Sequence, residues 1–140
     1  MNKLDTLDLE FKPLIEQLLQ AIGQVTEHTW VVTAGRRTLA EQTRIYAQGR
    51  TLPGPIVSNA PAGSSAHNFG FAADLAPLRA DGEVDWNAPD KLWKQMADLA
   101  VEMGLVAGYY FTHFHDAPHV ESPHWKQEQA AWKAGQLHVS

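Results

Sequence analysis

Apolar side chains recur with the period of an α-helix near the start of the chain, and this spacing predicts an amphipathic helix over residues 8–24. The apolar stripe consists of Phe11, Leu14, Ile15, Leu18 and Ile22. A β-branched and aromatic run at residues 29–33 predicts a strand. Thr38 precedes Glu41 by three residues, the spacing of a capping box, so a second helix is expected from there to about residue 48.

Glycine and proline interrupt the middle of the chain. Residues 50–65 contain two glycines and three prolines, which predicts a long exposed loop. Residues 71–78 form an apolar run that predicts a buried strand. The Asp81-Gly82 turn is expected to lead into a further short strand at residues 83–85.

The last third of the chain mixes helix and strand signals. Asn87 is the expected N-cap of a third helix that has Pro89 in its first turn and extends to about Gly104. Two strands and a closing helix are expected at residues 105–112, 119–121 and 125–134. Because the strands cluster instead of alternating with helices, the pattern favours an α+β fold, with an antiparallel sheet and helices packed on it.

The composition narrows the range of functions. A chain of 140 residues fits one domain, and the absence of cysteine leaves His, Asp and Glu as the side chains that could hold a metal ion. A net charge of -5 without a basic face argues against binding to nucleic acid. No apolar run approaches the ~20 residues of a membrane span, so no membrane insertion is expected. The acidic first residues do not resemble a signal peptide, so synthesis in the cytoplasm is expected.

The segment SAHNFGFAAD, residues 65–74, places an acidic residue inside an apolar strand. Burying the carboxylate of Asp74 there is costly unless it is paired or bound to a metal ion. Ala72 would share its face of the strand and leave room for an ion. Two interpretations fit this segment equally well: Asp74 and His67 bind a metal ion, or Asp74 accepts hydrogen bonds from the Ser64–Ser65 loop.

The segment HDAPHVE, residues 115–121, offers a third ligand in His119. Zinc in a hydrolase takes three protein ligands and keeps one position for water, and two histidines with one carboxylate fit that number. A separate carboxylate must take the proton from the water, whose pKa the metal lowers towards ~7. Asp116 is the expected base. Glu121 is the second candidate, and it could equally orient a ligand.

Arg37 lies at the junction of the first predicted strand and the second predicted helix, where its side chain can point into a cleft. A guanidinium in that position would hold a substrate carboxylate or stabilise an oxyanion. The nearby Arg36, Arg44 and Arg50 have the setting of solvated or loop residues.

Together these segments resemble the zinc D-alanyl-D-alanine carboxypeptidase and L-alanyl-D-glutamate endopeptidase family, which includes phage endolysins and bacterial cell-wall peptidases. The family pattern is S-x-H-x-x-G-x-A-x-D, followed downstream by D/E-x-x-H. Every fixed position is matched, by Ser65, His67, Gly70, Ala72, Asp74, Asp116 and His119. The segment from Arg37 to Thr51 is also similar to the family.

The resemblance implies a small antiparallel sheet flanked by helices, as in hedgehog domains and D-alanyl-D-alanine peptidases. It implies that the three ligands named above bind one zinc ion, that Asp116 acts as the general base, and that Arg37 and Ser65 contact the substrate. Three features depart from the family. Residues 107–114 replace a Gly-Gly-Asp-Trp-like segment, His113 and His115 are unusual beside the site, and Arg36 stands where Tyr is common.

The substrate that the resemblance implies is the stem peptide of peptidoglycan. Asp116 in place of Glu, together with the HVE ending, favours an L-alanyl-D-glutamate endopeptidase, with a D-alanyl-D-alanine carboxypeptidase as the alternative. We expect a monomer in which residues 1–140 form a single catalytic domain without a wall-binding module. It would be made in the cytoplasm and act on the wall after release, as a phage or prophage endolysin does. A non-catalytic zinc-binding recognition module is the competing hypothesis from another class.

Overall fold

The computed structural model describes residues 2–140, which form four α-helices and a four-stranded sheet. The helices are α1 (Lys12–Thr26), α2 (Leu39–Ala47), α3 (Asp90–Glu102) and α4 (Trp125–Lys133). The strands are β1 (Trp30–Ala34), β2 (Ala72–Pro77), β3 (Val106–Ala107) and β4 (His119–Glu121). Short 3-10 helices lie at Lys3–Thr6, Ala66–Phe69 and Gly108–Tyr110. Among the described residues, no helix combines the length and the apolar character that a membrane span requires.

The strands are arranged in the order β1-β2-β4-β3, and each neighbouring pair is antiparallel. Asp74 of β2 lies directly opposite His119 of β4. On its other side Asp74 lies opposite Ala34, beside an irregularity in β1 between Val32 and Ala34. The register therefore places a carboxylate and an imidazole side by side in the middle of the sheet.

The large apolar side chains of the central strands lie on the face of the sheet that Asp74 does not use. Because side chains alternate along a strand, Leu75 points away from Asp74, and it is fully buried. Helix α1 packs on α3 and β1 through a buried stripe of Ile15, Leu18 and Ile22. Trp30 of β1 meets Trp93 of α3 edge to face, with ring centroids 5.7 Å apart. The opposite face carries Asp74 and His119.

The predicted α+β fold, with an antiparallel sheet and flanking helices, is confirmed. Helix α1 begins four residues later than predicted, and residues 50–65 form the expected loop. The capping box of α2 has both of its hydrogen bonds: Thr38 Oγ1 accepts from the N–H of Glu41, and the Glu41 carboxylate accepts from the N–H of Thr38. This cap, the residue after Arg37, sets the start of α2 at Leu39.

Two boundaries around the Asp81-Gly82 turn differ from the prediction because aspartate side chains bind the backbone there. Residues 83–85 form a single bridge, Leu78 to Val84, and Asp81 Oδ1 accepts the N–H of Glu83. Asn87 is not the N-cap of the third helix; it lies in a turn in which its N–H donates to the Asp85 carboxylate at 3.1 Å. Helix α3 begins at Asp90 instead, with Pro89 as its N-cap.

The strand predicted over residues 105–112 is confined to β3, and the chain then turns into the 3-10 helix Gly108–Tyr110. Contacts with α3 draw this turn away from the sheet: the hydroxyls of Tyr109 and Tyr110 donate to Asp90 and Asp98, respectively. A side chain on Gly108 would overlap the carbonyl oxygen of Asp116. The turn at Gly108 thus sets the position of the segment that carries Asp116.

Replacing Thr38 with Ala is expected to lower the free energy of unfolding by about 1 kcal/mol, because the N-cap of α2 loses its hydrogen-bond acceptor. Urea unfolding at neutral pH measures the change. Thr43→Ala, at an exposed position of the same helix, is the control. Because alanine has a higher helix propensity than threonine, this substitution should not cause a comparable loss of stability. Equal destabilisation by both substitutions would contradict a specific role of the cap.

Candidate metal centre

His67 is presented by the short 3-10 helix Ala66–Phe69, which a second capping box holds in place. Ser65 Oγ accepts from the N–H of His67, and the side chain of Asn68 reaches back to the N–H of Ser65. Gly70 ends the turn with φ +79°, a conformation that favours glycine. The Nδ1 atom of His67 lies 2.8 Å from the carbonyl oxygen of Gly35. This acceptor holds the proton on Nδ1 and leaves Nε2 free to bind a metal ion.

His119 is oriented in the same way by a different acceptor. Its Nε2 atom lies 2.6 Å from Oε1 of Glu121, and Glu121 Oε2 in turn accepts from Nε1 of Trp125 at 2.8 Å. In the neutral ring of His119, Nδ1 is therefore the unprotonated nitrogen, and it faces the centre of the site. Glu121 is fully engaged in orienting this imidazole, so its contacts favour the orienting function over that of a base.

Asp74 lies between the two imidazoles. Its Oδ1 atom is 3.3 Å from His67 Nε2 and 3.4 Å from His119 Nδ1. This oxygen is buried, and no described residue gives it a hydrogen bond. The Ser65 hydroxyl accepts from His67 instead, which argues against a serine loop satisfying Asp74.

The three potential ligand atoms all lie within 4.8 Å of one another. Asp74 Oδ1 is a buried carboxylate oxygen without a hydrogen bond among the described residues. It faces one nitrogen of each imidazole, and the other nitrogen of each ring already has a hydrogen-bond partner. A metal site requires this arrangement. The donor set of two imidazoles and one carboxylate suits zinc. The residues present therefore fit a single divalent ion.

The ionisation of the cluster reflects this arrangement. Burial alone would raise the pKa of Asp74, but the contacts with His119 and His67 outweigh it and hold the pKa well below the usual range. Burial alone would lower the pKa of His119, but Asp74 and Glu121 outweigh it and raise the pKa to about 9. Without a metal ion, a proton on His119 thus occupies the place of the cation.

Asp116 stands beside the cluster without belonging to it. Its Oδ2 atom lies 3.9 Å from His119 Nδ1, and its side chain is 41% exposed. Burial, followed by the charge of Asp74, raises the pKa of Asp116. A carboxylate in this position can exchange a proton with a molecule bound at the cluster.

One open groove of about 560 Å³ runs across the cluster. Every site residue that the sequence predicted lines it: Arg37, Ser65, His67, Asp74, Asp116, His119 and Glu121. His113 also lines the groove, whereas His115 packs against the ring of Tyr109. Arg36 does not line it; its Nε donates to the carbonyl oxygen of Thr6.

Sequence analysis assigned no role to two buried amides that support the site, although Gln42 lies in the segment that resembles the family. The side chain of Asn68 donates to the carbonyl oxygen of Arg37 and accepts from the N–H of Gly63. Gln42 is fully buried in α2 and accepts from Arg37 Nη1. The available signal was a polar residue in an otherwise buried setting, but exposure cannot be read from a short helix with weak periodicity.

A small antiparallel sheet that presents two histidines and a carboxylate, with a further carboxylate alongside, defines a domain of the metallopeptidase type. Comparison with known proteins agrees. A family model described as D-alanyl-D-alanine carboxypeptidase matches residues 58–122. The peptidoglycan L-alanyl-D-glutamate endopeptidase CwlK of Bacillus subtilis (strain 168) is 33% identical over 122 residues, which is 80% of this chain and 73% of that protein. The chain therefore belongs to the M15 family of metallopeptidases.

Solved structures share the fold. The L-Ala D-Glu endopeptidase ChiX of Serratia marcescens has a TM-score of 0.59 and 20% identity, and the match covers 91% of this chain and 87% of that one. The D,D-pentapeptidase VanY from a VanB-type resistance cassette, in complex with Zn(II), has a TM-score of 0.61 and 15% identity. That match covers 92% of this chain and 79% of the other. At these identities the likeness shows the fold alone.

Chelator-treated protein is expected to lose stability as the pH rises from about 6.5 to about 9. The raised pKa of His119 means that the folded state keeps a proton which the unfolded state releases. The stabilisation is complete below pH ~6.5, and a few kcal/mol are lost by the time the pH passes the folded pKa. Urea unfolding at several pH values in a chelator measures this loss.

Two substitutions test the assignment of this loss to His119. His119→Gln should flatten the profile between pH 6.5 and 9, whereas His138→Gln, at an exposed position, should leave it unchanged. An unchanged profile in His119→Gln would contradict the assignment.

Proposed function

We propose that this protein is a zinc-dependent peptidase that hydrolyses the L-alanyl-D-glutamate bond in the stem peptide of peptidoglycan. The observation that carries the proposal is the convergence of His67 Nε2, Asp74 Oδ1 and His119 Nδ1 beside Asp116, in one open groove. The substrate is supported by membership of the family and by the name of the Bacillus subtilis relative.

Bound at this cluster, one zinc ion would polarise the scissile carbonyl and lower the pKa of a water molecule. The remaining work is done by the chain. His67 and His119 offer unprotonated nitrogens, because Gly35 and Glu121 hold the protons of the opposite nitrogens. Asp116 takes the proton from the attacking water and passes it to the leaving amine, since its half-exposed carboxylate lies next to the cluster.

Arg37 and Ser65 line the same groove and would bind the substrate. The backbone of Arg37 is held from both sides: its N–H donates to the carbonyl oxygen of His67, and its own carbonyl oxygen accepts from Asn68. The guanidinium is thus anchored next to a ligand-bearing turn. A substrate carboxylate bound by Arg37 would bring the scissile bond over the metal centre.

Two alternatives remain open to experiment. The description of the matching family model supports a D-alanyl-D-alanine carboxypeptidase, which uses the same chemistry on a terminal bond. A non-catalytic zinc-binding module is disfavoured by Asp116, because pure recognition does not need a carboxylate next to the metal ligands. The setting expected from the sequence stays a prediction: a monomeric single catalytic domain over residues 1–140, made in the cytoplasm and acting on the wall as a phage or prophage endolysin.

Digestion of purified muropeptides, followed by mass spectrometry, tests the proposal. Cleavage at L-Ala–D-Glu leaves a single alanine on the sugar and releases a peptide that begins with D-Glu. Removal of one terminal D-Ala from a pentapeptide would support the carboxypeptidase instead. Each activity should stop with a chelator and return with zinc. Protein that carries one equivalent of zinc and yields neither product would refute catalysis.

Asp116→Ala is expected to keep the zinc ion and to lower kcat by about 10²- to 10⁴-fold, because the general base is lost while the ligands remain. Metal analysis of the purified variant and a muropeptide assay measure the two quantities. Loss of zinc in this variant would instead make Asp116 a ligand.

Glu121→Gln is the matched counterpart, and its expected effect is on zinc affinity. The amide cannot accept from both His119 and Trp125, so zinc affinity should fall by about 10- to 100-fold. At saturating zinc, kcat should stay within several-fold of the unsubstituted enzyme. A fall in kcat as large as that of Asp116→Ala, with zinc bound, would identify Glu121 as the base.

A further inference from the structure

Gln42 is the one fully buried side chain of helix α2 among the described residues. An amide in this position costs free energy unless its donors and acceptor are paired. Here they are paired: Oε1 accepts from Arg37 Nη1 at 2.9 Å, and Nε2 donates to the carbonyl oxygen of Ala60 at 2.7 Å and to Ser58 Oγ at 3.3 Å. Since a guanidinium can only donate, the contact with Arg37 assigns the oxygen and the nitrogen of the amide.

The three partners of Gln42 all line the groove. Arg37 belongs to the connection between β1 and α2, whereas Ser58 and Ala60 belong to the long loop over residues 50–65. The amide of Gln42 thus links the Arg37 guanidinium to the loop that forms a separate wall of the groove. Arg50 holds the same wall from outside, through its hydrogen bond to the carbonyl oxygen of Ser58 at 2.9 Å.

The partner of Arg37 is neutral, and this has an electrostatic consequence. No described carboxylate forms a salt bridge with Arg37. Gln42 therefore orients the guanidinium through a neutral amide, and no carboxylate in the described part of the chain is in direct contact with it. A carboxylate at position 42 would occupy the same space but would compensate that charge from within the protein.

We propose that Gln42 is a positioning residue that holds the Arg37 guanidinium without a carboxylate in direct contact, and that it thereby sets a preference for substrates with a free carboxylate over the corresponding carboxamides. This proposal rests on the peptidase function proposed above. The carboxylate has two sources in a stem peptide: the α-carboxylate of D-glutamate, or the carboxyl terminus of the peptide.

The test compares kcat/KM for three synthetic peptides that contain the L-Ala–γ-D-Glu bond. One has both carboxylates free, one carries the α-carboxamide of D-glutamate, and one carries a carboxamide at its C-terminus. The zinc-loaded protein should prefer the free acid over one of the two amides by about 10- to 100-fold, the range of a charge-assisted hydrogen bond. The amide that is cleaved poorly identifies the carboxylate that Arg37 binds.

Gln42→Glu should remove most of this preference by lowering kcat/KM for the free acid, with little change for the disfavoured amide. Gln42→Met leaves the charge of Arg37 but removes its orienting partner, so it should also lower the ratio of kcat/KM for the free acid to kcat/KM for the disfavoured amide. This variant provides the test if Gln42→Glu does not fold. Thr43→Ala, the next residue of the helix, is the control and should keep the ratio. A purely structural role of Gln42 would lower kcat/KM for all three peptides alike.

A double-mutant cycle isolates the pair. In an Arg37→Met background, Gln42→Met should have no further effect on the ratio, because the positioned group is gone. An unchanged ratio in both Gln42 variants, or equal cleavage of all three peptides by the unsubstituted protein, overturns the proposal. Failure to cleave any of them with zinc bound would instead refute the peptidase function itself.

Discussion

Burial of the Asp74 carboxylate in the middle of the sheet is the constraint on which the rest of the site depends. A charge in that position is tolerated only with compensating partners, and the antiparallel register supplies one by placing His119 directly opposite. The second, His67, comes from a 3-10 turn at the start of β2. Because no described residue gives Asp74 Oδ1 a hydrogen bond, the three side chains are arranged around a cation.

Contacts behind the two imidazoles hold the candidate ligands in place. The carbonyl oxygen of Gly35 sets the tautomer of His67, and a side chain on Gly35 would overlap Thr6 and the carbonyl oxygen of Lys3. The N-terminal segment therefore packs directly behind a ligand. Trp125 does the same for His119 through Glu121. Such outer contacts orient the nitrogens before any metal binds, which lowers the cost of assembling the site.

The groove combines acidic and basic groups at separate positions. Asp116 and the ligand carboxylate make its centre acidic, and Arg37 contributes a cation held by neutral partners. The amide of Gln42 accepts from the Arg37 guanidinium, and the amide of Asn68 donates to the Arg37 carbonyl oxygen. The groove thus presents a carboxylate beside the cluster and a separate guanidinium, and different elements of the fold provide them.

The amino-acid sequence by itself determined the fold class and named the residues that come together in the groove. Helical and strand periodicities, the Thr38 capping box and the spacing of His67, Asp74, Asp116 and His119 are local properties, and they are present before the chain folds. The boundaries failed where side chains compete for the backbone, as Asp85 does at Asn87, because that competition depends on geometry that composition does not show.

Only the tertiary structure decided how the groups around the ligands are used. It favoured Glu121 as the orienting partner of His119 over the alternative of a base, directed Arg36 to Thr6 and away from the groove, and brought Gln42 to Arg37 and Ala60. The reason is physical. These assignments depend on which nitrogen or oxygen faces which partner within about 3 Å, and residues from separate elements meet at that distance only after the sheet and helices have packed.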